Sequence, residues 1–131
     1  MHVHLVDGTY ELYRQHYGQA SKHSQPPPFA GTIGVLTSTI QLLQDGATHI
    51  GVATDHVIES FRNDLYSGYK TSEGMEPVLL EQIPILEDAL RALGVTVWAM
   101  EKYEADDALA SAVRVASEDH TVHKVFVLTP D

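Results

Sequence analysis

The chain has 131 residues, 44% of them hydrophobic, which suits one domain with a sizeable core. It has no cysteine, so neither a disulfide framework nor a thiolate zinc site is available. Eight Lys+Arg stand against eighteen Asp+Glu, a formal net charge of −10, which runs against the basic patch expected of a nucleic-acid binder and leaves a solvated acidic surface or a cation site.

The opening "MHVHLVDG" has neither the basic start nor the long apolar stretch of a signal peptide. No apolar run approaches the roughly 20 residues of a membrane span, so a cytoplasmic protein with no membrane partner is expected. Val3 to Val6 reads as a short strand ending at Asp7 and Gly8. The next helix is expected to carry Tyr10, Tyr13 and Tyr17 on one face and to stop at Gly18. "QASKHSQPPPFAG" follows, where Pro26, Pro27 and Pro28 exclude helix and central strand. A second helix places Ile33, Leu36, Ile40 and Leu43 on one face, with Gly46 at its C′ position. "THIGVAT" is a second strand ending at Asp55.

Residues 56–77 are mostly polar, with Gly68 and Gly74, and a loop of that length reads as a mobile or functional segment. Leu79, Ile83, Leu86, Leu90 and Leu93 then form a helical stripe closed by Gly94. Pro84 within it implies either a helix start or a kink. "VTVWAM" is a third strand, Ala105 to Ala116 a further helix, and "KVFVLT" a fourth strand before Asp131. Strands alternating with helices imply a layered α/β fold with a mostly parallel sheet and helices on both faces. A further helix is expected after such a strand, so the 131 residues read as a piece of a longer chain, and an uncovered strand edge invites self-association.

In open parallel sheets, sites form beyond the C-terminal strand ends. Asp7 follows the first strand and Asp55 the second; Glu104, Asp106 and Asp107 follow the third, and Asp131 the fourth. Each alone suits a turn or a helix start; acids at all four strand ends suggest a shared cation site. On the helix from Ala105, at about 100° per residue, Asp106 falls at the margin of the stripe centred on Leu109 and Asp107 points away from it. One carboxylate beside the sheet and one fanned outward look like ligands rather than a single cap. Oxygen donors without cysteine suit hard cations, Mg²⁺ or Mn²⁺. Several carboxylates around such ions suggest two-metal phosphoryl chemistry, with the ions about 3.5–4 Å apart. His2 and His4 on one face of the first strand are a weaker metal candidate, and His120 and His123 read as a solvated turn.

"LVDGTYELYR", "DHVIESFRNDLYSGYK", "ALRALGVTVW" and "YEADDALAS" together resemble, in order and across most of the chain, the 5′–3′ exonuclease/flap endonuclease family, which includes the N-terminal nuclease domain of bacterial DNA polymerase I. The resemblance implies a single PIN-like nuclease domain over residues 1–131, with residues 56–77 leading into a flexible arch. It implies cleavage of 5′ ends or flaps of DNA with two Mg²⁺ or Mn²⁺ ions. The implied metal ligands are Asp7, Asp55, Glu104, Asp106, Asp107 and Asp131, with Asp106 and Asp107 divided between the ions and Asp131 on the second. Arg14 corresponds to a basic residue near the scissile phosphate. Arg62, Tyr69 and Lys70 correspond to the DNA-binding segment, Lys70 also serving catalysis; a lysine can neutralise a phosphate and a tyrosine can stack on a base.

The sequence departs from the family pattern at Glu73, where an arginine is usual, and at Thr54, where a phenylalanine is usual. The family also continues past Asp131 with a further aspartate and a helix-hairpin-helix that grips duplex DNA. Even with two bound ions the chain stays acidic, so weak, salt-sensitive DNA binding is expected. A PIN-type ribonuclease and a non-catalytic structure-specific binding module are the alternatives.

Overall fold

The computed structural model describes residues 1–22 (side chains of 19–22 excepted), 28–57 and 77–130. Its elements in chain order are β1 (His2–Asp7), α1 (Gly8–Lys22), α2 (Ala30–Gln44), β2 (His49–Asp55), α3 (Pro77–Leu93), β3 (Thr96–Met100), α4 (Ala105–Glu118) and β4 (Lys124–Leu128). The strands form one sheet of order β3-β2-β1-β4, every pairing parallel. The chain steps outward from β1 through β2 to β3, then crosses back to lay β4 on the far side of β1. Parallel crossovers keep one hand, so reversing the direction of travel moves the connecting helix to the opposite face.

The two cores follow from that reversal. On one face Val6, Ile50 and Val52 pack with Leu12 of α1, Val35 of α2 and the stripe Leu79, Ile83, Leu86 and Leu90 of α3. On the other, Leu5 and Ala53 pack with Ala105 and Leu109 of α4. Adjacent strand residues thus serve opposite faces, as the pleat requires. Helices cover both sides of the sheet over β1 and β2, as parallel sheets generally require, while Phe126 and Val127 of β4 stay exposed.

Two glycine features hold the layers in place. A Cβ on Gly8 would stand 2.6 Å from Val52 Cγ1, so only glycine lets α1 begin directly against β2. Gly46 and Gly94 take φ of 111° and 92° after α2 and α3, the left-handed conformation that ends helices at low cost.

Several sequence expectations are corrected. α1 does not stop at Gly18 but runs to Lys22. Tyr10, Tyr13 and Tyr17 are exposed, and the Tyr13 and Tyr17 rings meet each other at 4.7 Å; the core side of α1 is Leu12, with Glu11 and His16 also buried. On α2, Ile33, Ile40 and Leu43 are exposed, while Thr32, Val35 and Thr39 are buried. Those threonines are tolerated inside because each is bonded: Thr32 Oγ1 donates to Gln82 Oε1 at 2.9 Å and Thr39 Oγ1 to Val35 O at 2.8 Å. The helix carrying Pro84 does not start there; it begins at Pro77 and holds Pro84 in its interior. Proline at the helix start is favourable, because its missing N–H is one a first turn cannot satisfy anyway. No helix among the described residues is long and apolar enough to cross a membrane.

Candidate metal centre

The acids fall at one edge of the sheet because the strands end there together. In register, Asp7 of β1 stands opposite Ala53 and Asp55 of β2 opposite Met100. Asp7, Asp55 and Glu104 are all more than nine-tenths buried, which is uncommon for carboxylates and requires compensation by hydrogen bonds or charge.

A relay of backbone bonds ties these residues together. The N–H of Tyr10 donates to Asp7 Oδ1 at 3.0 Å, so Asp7 caps the first turn of α1. In that same turn Thr9 Oγ1 accepts from the N–H of Asp55 at 2.8 Å. Asp55 Oδ1 in turn accepts from the N–H of Ala105 at 2.9 Å. Glu104, extended at φ −93° and ψ 166°, precedes α4, and its N–H donates to Asp107 Oδ2 at 2.8 Å. The first-turn acids also face the positive end of the α4 dipole, which favours them.

The expected arrangement of the pair after Glu104 is reversed. Asp106 is exposed and Asp107 half-buried. The helix stripe alone points Asp107 away, but its side chain folds back along the first turn to accept the Glu104 N–H, and that drawing-in shields it.

Arg14, on α1, is bound to Glu11 by two bonds, Nε to Oε1 at 3.2 Å and Nη2 to Oε2 at 2.8 Å. The hydrogen bond to Glu11, reinforced by its charge, raises the guanidinium above its ordinary value. Arg14 remains half-exposed, so it can reach an outer ligand while held by Glu11. Arg62, Tyr69, Lys70, Glu73 and Asp131 lie outside the described residues, as does most of the 56–77 segment.

Sequence reasoning missed a further buried carboxylate at this edge. Glu87 of α3 is 1% exposed. It accepts from Thr54 Oγ1 at 2.5 Å and pairs with His56 Nδ1 at 2.6 Å. A signal was present: Glu87 lies four residues after Ile83 and three before Leu90, on the apolar side of its helix.

Oxygen donors of this kind would suit a hard divalent cation; the three buried carboxylates come from β1, β2 and the start of α4. Among the described residues, no three acidic or histidine side chains form an ion-binding group by themselves. Each of Asp7, Asp55 and Asp107 commits one oxygen to a backbone N–H. His2 and His4 lie at the other strand positions of β1; His4 stacks on Phe126 at 4.5 Å and His2 tilts against His123 at 6.1 Å.

Residues 2–131 match the family model described as "5'-3' exonuclease, N-terminal resolvase-like domain". DNA polymerase I of Mycobacterium leprae is 31% identical over 97% of this chain and 14% of its own length. The 5′–3′ exonuclease of Mycoplasma pneumoniae is 31% identical over 93% of this chain and 44% of its own. The chain therefore spans less than half the length of these curated relatives. Among solved structures, T5 5′-exonuclease with bound divalent metal ions (zinc) superposes with a TM-score of 0.67 at 20% identity, over 100% of this chain and 49% of that one. The bacteriophage T5 flap endonuclease in a pseudo-enzyme–product complex with DNA and metal ions gives 0.59 at 24%, with the same coverage. At those identities the solved structures speak for the fold alone. The chain belongs to the 5′–3′ exonuclease N-terminal, resolvase-like domain family.

Proposed function

We propose that residues 1–131 act as a nuclease domain that hydrolyses phosphodiester bonds at 5′ ends or flaps of DNA, using Mg²⁺ or Mn²⁺, with two ions as the full complement. The observation that carries this reading is the 2.9 Å bond from the Ala105 N–H to Asp55 Oδ1. It joins the acid at the end of β2 to the helix whose start bears Glu104, Asp106 and Asp107, which supports the reading that carboxylates from separate strand ends serve one site. Asp7, Asp55, Glu104, Asp106, Asp107 and Asp131 are the proposed donors. Bound divalent ions supply a low-pKa water and offset the charge on the leaving oxygen.

The chain's own part is positional. Asp7 and Asp55 are fixed by the first turns of α1 and α4, so their oxygens need little reordering when an ion enters. Arg14, steadied by Glu11, offers a charge-assisted contact to a phosphate. Lys70 and Arg62 are proposed to neutralise the 5′ strand, and Tyr69 to stack on a base. DNA with a 5′ flap or overhang is the proposed partner.

The test compares 5′-flap DNA, 5′-overhang DNA and matched RNA, with Mg²⁺, Mn²⁺ or EDTA, in the chain and in a version extended past Asp131. Metal-dependent release of 5′ products from DNA is expected. Cleavage of RNA alone would assign a PIN-type ribonuclease. Metal-independent binding without cleavage in the extended chain would overturn the catalytic reading in favour of a binding module.

A further inference from the structure

Strand alternation sends Thr54 and Asp55 to opposite faces of the sheet. Asp55 turns toward α4, where the Ala105 N–H holds it. Thr54, one residue before, turns toward α3, as does His56, one residue after. Both are held there by the same carboxylate, Glu87, whose two oxygens take one contact each: Oε2 from Thr54 Oγ1 and Oε1 from His56 Nδ1. Glu87 is 1% exposed, as is Thr54, so neither finds water as a substitute partner.

We propose that Glu87 is a positioning residue for Asp55. By bridging the residues on either side of Asp55, it fixes the backbone at the end of β2 and sets the direction in which the Asp55 carboxylate meets a divalent ion. This rests on the metal reading above. A purely structural role would be met more simply by an apolar side chain, since a buried charged group is commonly replaced by a well-packed apolar one without loss of stability. The polar bridge does something an apolar contact cannot: it fixes two defined side chains at two defined oxygens. That is how outer partners commonly tune a metal ligand, and losing such a partner typically lowers affinity about 10–100-fold.

The experiment measures Mn²⁺ binding by calorimetry and thermal melting in EDTA, on the full chain. Glu87→Gln keeps both contacts, its amide oxygen accepting from Thr54 and its amide nitrogen donating to His56, and is expected to bind Mn²⁺ close to the parent. The Thr54→Val, Glu87→Leu double variant removes both buried polar groups together. It is expected to melt near the parent in EDTA yet bind Mn²⁺ about 10-fold more weakly or worse. His56→Ala leaves the buried Glu87 Oε1 without that partner, so it is expected to weaken Mn²⁺ binding and to lower the melting temperature in EDTA as well. Parent-like Mn²⁺ affinity in the double variant or in His56→Ala would overturn the proposal, as would a Glu87→Gln protein as weak as the double variant. Asp55→Asn is the control for the reading beneath: if it binds Mn²⁺ as the parent does, the metal site itself fails, whatever Glu87 does.

Discussion

Asp55 Oδ1 and the backbone N–H of Ala105 lie 2.9 Å apart, a bond across 50 residues of sequence that ties the end of β2 to the first residue of α4. Asparagine retains a carbonyl oxygen at that place. Asp55→Asn is therefore expected to keep the fold and lose the ion. Its melting temperature in EDTA should equal or exceed the parent's, while the rise on adding Mg²⁺ or Mn²⁺ disappears. Differential scanning calorimetry with and without the ions measures both.

Asp107 has a structural duty at the start of α4. Asp107→Ala removes the acceptor for the Glu104 N–H and should cost about 1 kcal/mol of metal-free stability, the usual worth of a helix cap. Asp107→Asn preserves an acceptor and should cost less. Urea unfolding in EDTA gives the ordering, and equal stability of the two variants would remove the cap from the account.

Gly8 is a packing requirement. The 2.6 Å approach of its would-be Cβ to Val52 Cγ1 means that Gly8→Ala must push β2 or α1 aside. Overpacking of this kind costs about 1–3 kcal/mol. Because β2 ends at Asp55, the same variant should also weaken divalent-ion binding. Chemical denaturation and an ion titration on the one protein check both effects.

Acid sensitivity has one identified contributor in the turn before β4. Thr121 donates to Asp119 Oδ1 through its hydroxyl at 2.6 Å and its N–H at 2.9 Å, and these bonds hold the Asp119 carboxyl below its ordinary value of 3.8. A carboxyl depressed in the folded state adds stability above its unfolded value, and that contribution is lost as pH falls through the folded one. Thr121→Val, which removes the hydroxyl donor and keeps the N–H, should therefore lower stability slightly at neutral pH, where the contribution is fully present, and flatten the profile below about pH 4. Unfolding midpoints measured from pH 2 to 7 test the shape.

Strand ends and helix faces differed in how readily they could be read from residues. Asp7 and Asp55 close apolar runs, so the strand ends and the edge that gathers the acids were plain. The faces of α1 and α2 were not. Tyr13 and Tyr17 repeat at helical spacing because they touch each other at the surface. Thr32 and Thr39 are buried because their hydroxyls find partners inside, so counting apolar residues alone turned α2 by about one position, or 100°. The Glu87 bridge and the Thr9–Asp55 bond join residues 31 to 46 positions apart. No local pattern announces such pairs; they exist only once the sheet has assembled.

Trp98 is the chain's only tryptophan, and its ring lies so close over Gly51 that a Cβ there would stand 2.4 Å from it. The indole belongs to the smaller core, beneath α4, on the same side of the sheet as Asp55 and Ala105. Its emission therefore comes from a single place, the layer that carries the acids. Fluorescence can follow that layer alone, and any shift on adding a cation or a nucleic acid reports whether α4 moves relative to the strands beneath it.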